Sequence, residues 1–295
     1  MPGVLYVIST PIGNLEDITL RALRLLGEVA LIACEDTRHT RKLLAHFQIA
    51  TPTVSYHEHN ERQRAAELIA RLQAGASVAL VSDAGTPLVS DPGYRIVQEA
   101  IRHGVQVVPV PGASALVAAL TASGLQTDEF YFAGFLPAKS SQRRARLAAL
   151  AAVEATLIFY EAPHRIKATL ADARAVLGNR RAVMARELTK LHEEFIRGTL
   201  DEVSATVEPR EVRGELVLLL GSLAKDAAAG IKQATPHSIA EEVAALVRDE
   251  RLDQKAALKR VARARGLSKS AAYRQLLAER AEEDVPVEVT PDDVE

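Results

Sequence analysis

VLYVISTPIGNLEDITLRALRLL, residues 4–26, decides how the first two-thirds of this chain is read. Val4 to Ser9 is a short β-branched and aromatic run, the composition of a buried strand. From Asp17 to Leu26 the apolar side chains fall at Ile18, Ala22, Leu25 and Leu26, which is helical spacing. The same alternation continues downstream. Strands are expected at Ala30–Cys34, Thr53–Tyr56, Ser77–Ser82 and Val105–Val110, and helices at Glu61–Gln73 and Tyr94–His103, stopped by Gly75 and Gly104. Alternating units of this size predict a mostly parallel sheet covered on both faces, forming a first domain over residues 1–112.

The second half has a different rhythm. Strands are expected at Thr156–Tyr160, Ala182–Arg186, Glu194–Thr199 and Glu215–Leu220, and the last two lack a full crossover helix before them. A mixed α/β sheet follows for residues 113–224. Small and polar residues over 225–236 read as a linker. Ser238–Arg248, Gln254–Arg265 and Ser268–Ala281 then read as helices, with Gly266 in a turn, so residues 237–281 form a helix-turn-helix-like unit. Arg251–Arg280 carries nine Lys/Arg against two Asp/Glu, while Glu282–Glu295 carries seven acids and no base. The first is a nucleic-acid-type footprint, and residues 282–295 read as a disordered acidic tail.

With 295 residues, the length suits two domains with an appendage. The composition, 48% apolar and 25% charged, is that of a globular protein and excludes collagen-like, rod-like and wholly disordered chains. No apolar run reaches the roughly 18 residues of a membrane span. The N-terminus has no cationic segment or cleavage site, so a cytoplasmic location is expected. The single cysteine, Cys34, allows no internal disulfide and reads as core packing.

In an open α/β sheet, ligands bind beyond the carboxyl ends of the strands. Those ends carry Thr10-Pro11-Ile12-Gly13, Glu35-Asp36-Thr37-Arg38, His57-Glu58-His59-Asn60, Ser82-Asp83-Ala84-Gly85-Thr86 and Pro111-Gly112-Ala113-Ser114. In the second half they carry Tyr160-Glu161 and Glu187-Leu188-Thr189-Lys190. So many charged residues on one edge point to a site. The dinucleotide fingerprint, the P-loop, the zincin motif and the GxSxG elbow are all missing. His57 and His59 alternate on a segment read as extended, which points them apart and disfavours a shared metal. No metal is expected. Glycines for close approach and acids at loop starts suit a ligand bearing ammonium or hydroxyl groups.

Six motifs occur in order: TPIGNLEDIT (10–19), ACEDTRHT (33–40), LVSDAGTPLVSDPG (80–93), VPVPGASALVAAL (108–120), GFLPAK (134–139) and ARELTK (185–190). Together they resemble the ribosomal RNA small subunit methyltransferase I family, 2′-O-ribose methyltransferases of the tetrapyrrole methylase superfamily. The resemblance runs to about residue 280. It implies two α/β domains with S-adenosylmethionine in the cleft between them, a small C-terminal helical unit and a homodimer. It also implies a substrate cytidine in the decoding centre of 16S rRNA, within the small ribosomal subunit. By the family pattern, Thr10, Pro11, Ile12, Gly13, Ser82, Asp83, Ala84, Thr86, Ala113 and Ser114 line the cofactor. Tyr160, Glu161, Glu215 and Leu216 approach it from the second domain.

Methyl transfer from a sulfonium needs alignment and removal of the hydroxyl proton. Glu35, Asp36 and Glu187 are open alternatives as the base, with Arg38 and Lys190 beside them to hold phosphate or stabilise the alkoxide. Lys139, Arg143, Arg144 and Arg146 form one basic patch, and the terminal unit, with Lys259, Arg260 and Arg263, forms another for RNA. Two competing readings are a methyltransferase of the same fold acting on a tetrapyrrole or other small acceptor, and a non-catalytic nucleic-acid binder.

Overall fold

The computed structural model describes residues 2–222, 239, 243, 246–248, 253–264 and 270–276. It divides into two compact units, Met1–Ala228 and Ala229–Glu295. The first unit holds two five-stranded sheets. The first is built from β1 (Val4–Ile8), β2 (Leu31–Cys34), β3 (Thr53–Ser55), β4 (Val78–Val81) and β5 (Gln106–Val110), in the order β3-β2-β4-β1-β5. Every pairing in it is parallel. Its crossovers are α1 (Leu20–Glu28), α2 (Thr37–His46), α3 (Glu61–Gln73) and α4 (Tyr94–Arg102).

Period-two alternation explains why this sheet is covered twice. Leu31, Ala33, Val78 and Leu80 pack on one face, with Leu68, Leu72 and Ile96 of the helices. Ile32, Cys34, Ala79 and Val81 pack on the other, with Leu25, Leu26 and Leu44. α1 starts later than the sequence spacing predicts, because Leu15–Asp17 forms a 3₁₀ turn and the Thr19 hydroxyl then caps the helix by accepting the Ala22 N–H at 3.1 Å. α2 follows β2 directly; the Asp36 carboxylate accepts the Arg38 N–H at 2.8 Å and caps its start.

The chain then passes through α5 (Ala115–Thr121) to β6 (Phe130–Phe135), α6 (Ser140–Ala149), β7 (Thr156–Glu161) and α7 (Ile166–Leu177). β8 (Arg181–Arg186), β9 (Glu194–Thr199), α8 (Leu200–Val207) and β10 (Leu216–Leu220) follow. The order is β6-β7-β10-β8-β9. Only β6 and β7 run parallel, so the sheet is mixed as expected. One face, with Leu157, Phe159, Met184 and Leu218, packs against α6, α7 and α8. The other, with Ile158, Val183, Ala185, Val217 and Leu219, packs on Leu116, Ala119 and Leu120 of α5 and on Ile12 of the loop after β1. That second face brings the carboxyl edge of the first sheet against the second.

In the second unit, α9 (Gln254–Ala264) buries Ala257, Leu258, Val261 and Ala262 with Ile239, Val243, Ala272 and Leu276. Lys259 and Arg260 are on its exposed side. The linker over 225–236, the turn at Gly266, the tail over 282–295 and the side chain of Arg263 lie outside the described residues. No helix among the described residues is long and apolar enough to cross a membrane.

Candidate active site

A cleft of about 360 Å³ opens where the loops after β1, β4 and β5 meet the ends of β7 and β10. The first-sheet loops contribute Ile12, the Ala84–Thr86 segment, Val89 to Asp91, and Ser114. Phe135, Tyr160 to Pro163, Leu188 and Gly214 to Val217 come from the second sheet. Among the described residues no lysine, arginine or histidine lines it, and its ionisable groups are Asp91, Glu161, Glu215 and Tyr160.

The first-sheet loops are stitched together by hydrogen bonds. Thr10 and Gly85 exchange both backbone bonds, at 2.8 and 3.0 Å. The Ser9 and Thr86 hydroxyls meet at 2.9 Å, and Thr86 donates onward to the Ala113 carbonyl at 3.2 Å. Leu88 and Ser90 sit at φ +71° and +67°, a conformation that L-residues rarely adopt, and they present Asp91 to the cleft.

On the opposite wall, Glu187 and Thr189 also have positive φ, +50° and +66°. Glu187 accepts the Lys190 ammonium at 2.9 Å and the Glu215 N–H at 3.0 Å, and Lys190 also reaches Glu215 at 3.0 Å. Two glycines permit this. A Cβ on Gly214 would fall 2.4 Å from the Glu187 carboxylate, and one on Gly13 would fall 2.4 Å from the Lys190 stem. Glu161 is buried; it accepts from the Ala162 N–H, the Thr169 hydroxyl and the Arg165 guanidinium.

The carboxylates differ in their proton affinity. Hydrogen bonds and charge from Arg38 hold Asp36 at about 2. The Lys190 bond, then the Glu215 N–H, lowers Glu187. Burial, reinforced by Asp83 and Glu58, raises Glu35. Burial, reinforced by Glu35 and Asp83, pushes Asp91 up to about 6. Burial likewise raises the Cys34 thiol, which packs in the core as expected.

The fold separates residues that the sequence groups together. Ile12, Ala84, Thr86, Ser114, Tyr160, Glu161, Glu215 and Leu216 line the cleft, and Ala113 supports it from behind. Thr10, Pro11, Gly13, Ser82 and Asp83 instead line a second cavity beside it; Asp83 accepts the Asp36 N–H at 3.0 Å. Lys190 is already held by two carboxylates and acts as a clamp. Arg143 is not surface charge: it is buried against Asp172 at 2.7 Å and bonds the Ala138 carbonyl, while Lys139 and Arg144 are exposed. Arg38 is exposed and paired with Asp36. His57 and His59 lie in a turn with their rings 5.9 Å apart, not on opposite strand faces. Among the described residues no cluster of three or more such ligands forms a metal site. Asp91, Val89, Phe135 and Val217 are among the cleft residues to which the sequence assigned no role.

The sequence profile of the Tetrapyrrole (Corrin/Porphyrin) Methylases matches residues 4–204. The chain is 49% identical over 278 residues to a protein of Synechocystis sp. named ribosomal RNA small subunit methyltransferase I, covering 94% of this chain and 93% of that one. A protein of the same name from Halalkalibacterium halodurans is 54% identical over 218 residues, 74% of this chain and 75% of the relative. Among solved structures, uroporphyrin-III C-methyl transferase of Thermus thermophilus complexed with S-adenyl homocysteine aligns with a TM-score of 0.53 at 24% identity, over 76% of this chain and all of that one. A diphthine synthase aligns with a TM-score of 0.59 at 17% identity, over 74% and 90% of the two chains. These structures share the two-sheet fold.

Proposed function

The chain belongs to the tetrapyrrole methylase family, and within it to the ribosomal RNA small subunit methyltransferases I; from that premise we propose that it methylates small-subunit rRNA with S-adenosylmethionine. The acceptor in this reading is the ribose 2′-hydroxyl of a decoding-centre cytidine in 16S rRNA. The observation that carries it is the near-full-length match to a relative of that name.

The cleft suits the cofactor. Its apolar floor of Ile12, Val89, Leu188 and Val217 fits an adenosyl group, and a lining with carboxylates and no cationic side chain fits a ligand carrying sulfonium and ammonium charge. S-adenosylmethionine supplies an activated methyl group. The protein must orient the hydroxyl, exclude water and accept its proton. Of the alternatives open from the sequence, Asp36 and Glu187 are held ionised by cations and are weak bases. Asp91 lines the cleft with no lysine or arginine paired to it among the described residues, so we assign it the proton and give Glu35 the role of raising its basicity. Lys190 positions the Glu187–Lys190 loop against Gly13. Exposed Lys139, Arg144, Lys259 and Arg260 provide basic surface for RNA.

The setting proposed is a cytoplasmic homodimer; Tyr94 and Ile101, exposed on α4, are apolar surface of the kind that a second copy covers. The tetrapyrrole alternative is not favoured by these relatives. The test is incubation with methyl-labelled S-adenosylmethionine and unmodified small subunits, followed by mapping of the labelled nucleotide. Label in a single ribose of the small-subunit rRNA is expected. Label only in a tetrapyrrole, or none, contradicts the reading.

A further inference from the structure

β6 is an edge strand of the second sheet, and it does not run evenly along β7. Phe132 pairs with Ile158 and Phe135 with Tyr160, so β6 takes three steps where β7 takes two. Gly134 lies within that bulge at φ +66°, a left-handed conformation that glycine adopts freely. The bulge changes which way Phe135 points. Side chains alternate between faces along a strand, so an even strand would put Phe135 with Ala133, which packs on the helix-covered core. Instead Phe135 falls in step with Phe132 and Tyr160, on the face that meets the first sheet, and it lines the cleft.

The re-aimed ring is propped but not covered. It meets the Tyr160 ring edge-on with centroids 5.7 Å apart, and Phe132 backs Tyr160 at 4.9 Å. Phe135 is nonetheless 58% exposed, whereas Ile12, Leu188 and Val217, in the apolar floor of the same cleft, are buried. An aromatic ring left open at the mouth of a ligand cleft is a stacking platform, because every nucleobase has a π-face to lay on it. The platform adjoins the loop that carries Asp91. A Cβ on Gly134 would lie 3.4 Å from the Ser90 hydroxyl, so the residue before Phe135 sits against the residue before Asp91. Phe135 and Asp91 open on one cleft together with the apolar floor, so a nucleotide on the ring shares a single space with the methyl donor.

We propose that Phe135 is the platform for the acceptor base: the nucleobase of the target nucleotide stacks on it at the cleft mouth, and the ribose turns inward toward Asp91 and the methyl donor. The assignment rests on the reading of the protein as an RNA methyltransferase and deepens it by naming a residue that positions the acceptor. It also separates two aromatic ligands within one cleft, the adenosyl group on the buried floor and the acceptor base on the exposed ring. Stacking carries little base identity, so Phe135 sets reach and geometry rather than sequence.

The full-length protein tests this with unmodified small subunits as the probe. Phe135→Ala is expected to lower kcat/KM for the subunits by about ten- to a hundredfold, the usual effect of losing one base–aromatic stack. Phe135→Trp should keep most of the wild-type value. Phe135→Leu should behave like Phe135→Ala, because leucine restores apolar bulk but no π-face. Calorimetric affinity for S-adenosylmethionine should be the same in all four proteins. Should Phe135→Ala melt early, the tryptophan and leucine variants decide alone. A leucine variant as active as the wild type, or a folded alanine variant with unchanged kcat/KM, overturns the assignment. So does a loss of cofactor affinity in Phe135→Ala, which would put the cofactor's adenine on the ring. If the wild type transfers no methyl to small subunits, the functional reading itself falls; if it does and the side chain at 135 is indifferent, only the platform falls.

Discussion

On the second-sheet wall of the cleft, Glu161 is bonded by Arg165, Thr169 and the Ala162 N–H, and Glu187 and Glu215 share Lys190. On the first-sheet side, Glu35, Asp83 and Asp91 stand near one another with no lysine or arginine paired to any of them among the described residues. Both sides are acidic in sequence, and they do opposite things. On the paired wall the Lys190 bond lowers Glu187 and fixes the loop, whereas burial and neighbouring acids raise Glu35 and push Asp91 up to about 6.

The comparison breaks most easily at Asp91. Asp91→Asn should lower the rate of methyl transfer by about 10²–10⁴, the usual worth of a positioned general base, while S-adenosylmethionine affinity measured by calorimetry stays within a few-fold. If Asp91 serves only to bind the cofactor, affinity falls and the maximal rate survives. The same variant should melt at a higher temperature than the wild type at pH 7. The sign follows from linkage: a carboxyl raised from 3.8 to about 6 in the fold favours the native state when protonated, and that advantage is lost as pH rises through this window. Asparagine removes the cost of ionising it.

On the paired wall the expected losses are in stability. Glu161→Ala leaves Arg165 and the Thr169 hydroxyl without their acceptor in a buried place, and should cost about 3–5 kcal/mol in denaturant unfolding. Lys190→Ala should cost less, about 1–2 kcal/mol, because the clamp is partly exposed. Its more telling effect is on Glu187, which keeps its left-handed backbone but loses the ammonium that holds it. Hydrogen exchange of the Glu187–Lys190 amides should therefore quicken, with the rest of the sheet unchanged. Equal exchange in both proteins would mean that Gly214 and the backbone bond to Glu215 hold the loop without the clamp.

Much of this was legible in the chain. The alternation of short strand-like runs with helical stretches pointed to the parallel first sheet, and the lack of a crossover helix before Glu194 to a mixed second one, although α8 does lie between β9 and β10. The edge strand Phe130–Phe135 escaped because it is aromatic with a glycine at φ +66°, not β-branched. The start of α2 was not marked, because its opening residues are polar and it depends on the Asp36 cap. For the site, the strand-end rule points to the edge where the cleft opens and to part of its lining. It could not divide residues between two cavities, because neighbours such as Asp83 and Ala84 face opposite sides of one partition. Nor does sequence distinguish a buried arginine from a surface one: Arg143 sits in a basic run and pairs with Asp172, 29 residues away. Asp91 lay in a quoted motif, but its importance comes from burial beside Glu35 and Asp83, which only the folded chain brings together.

The most direct test is the pH dependence of single-turnover methyl transfer to unmodified small subunits, measured for wild type, Glu35→Gln and Asp91→Asn at saturating cofactor. The wild-type rate should climb about tenfold per pH unit below an inflection near 6 and level off above it, as Asp91 ionises. Glu35→Gln removes a negative neighbour and should move that inflection down, and Asp91→Asn should abolish it. An inflection that persists unchanged in Asp91→Asn would contradict the account and place the base elsewhere.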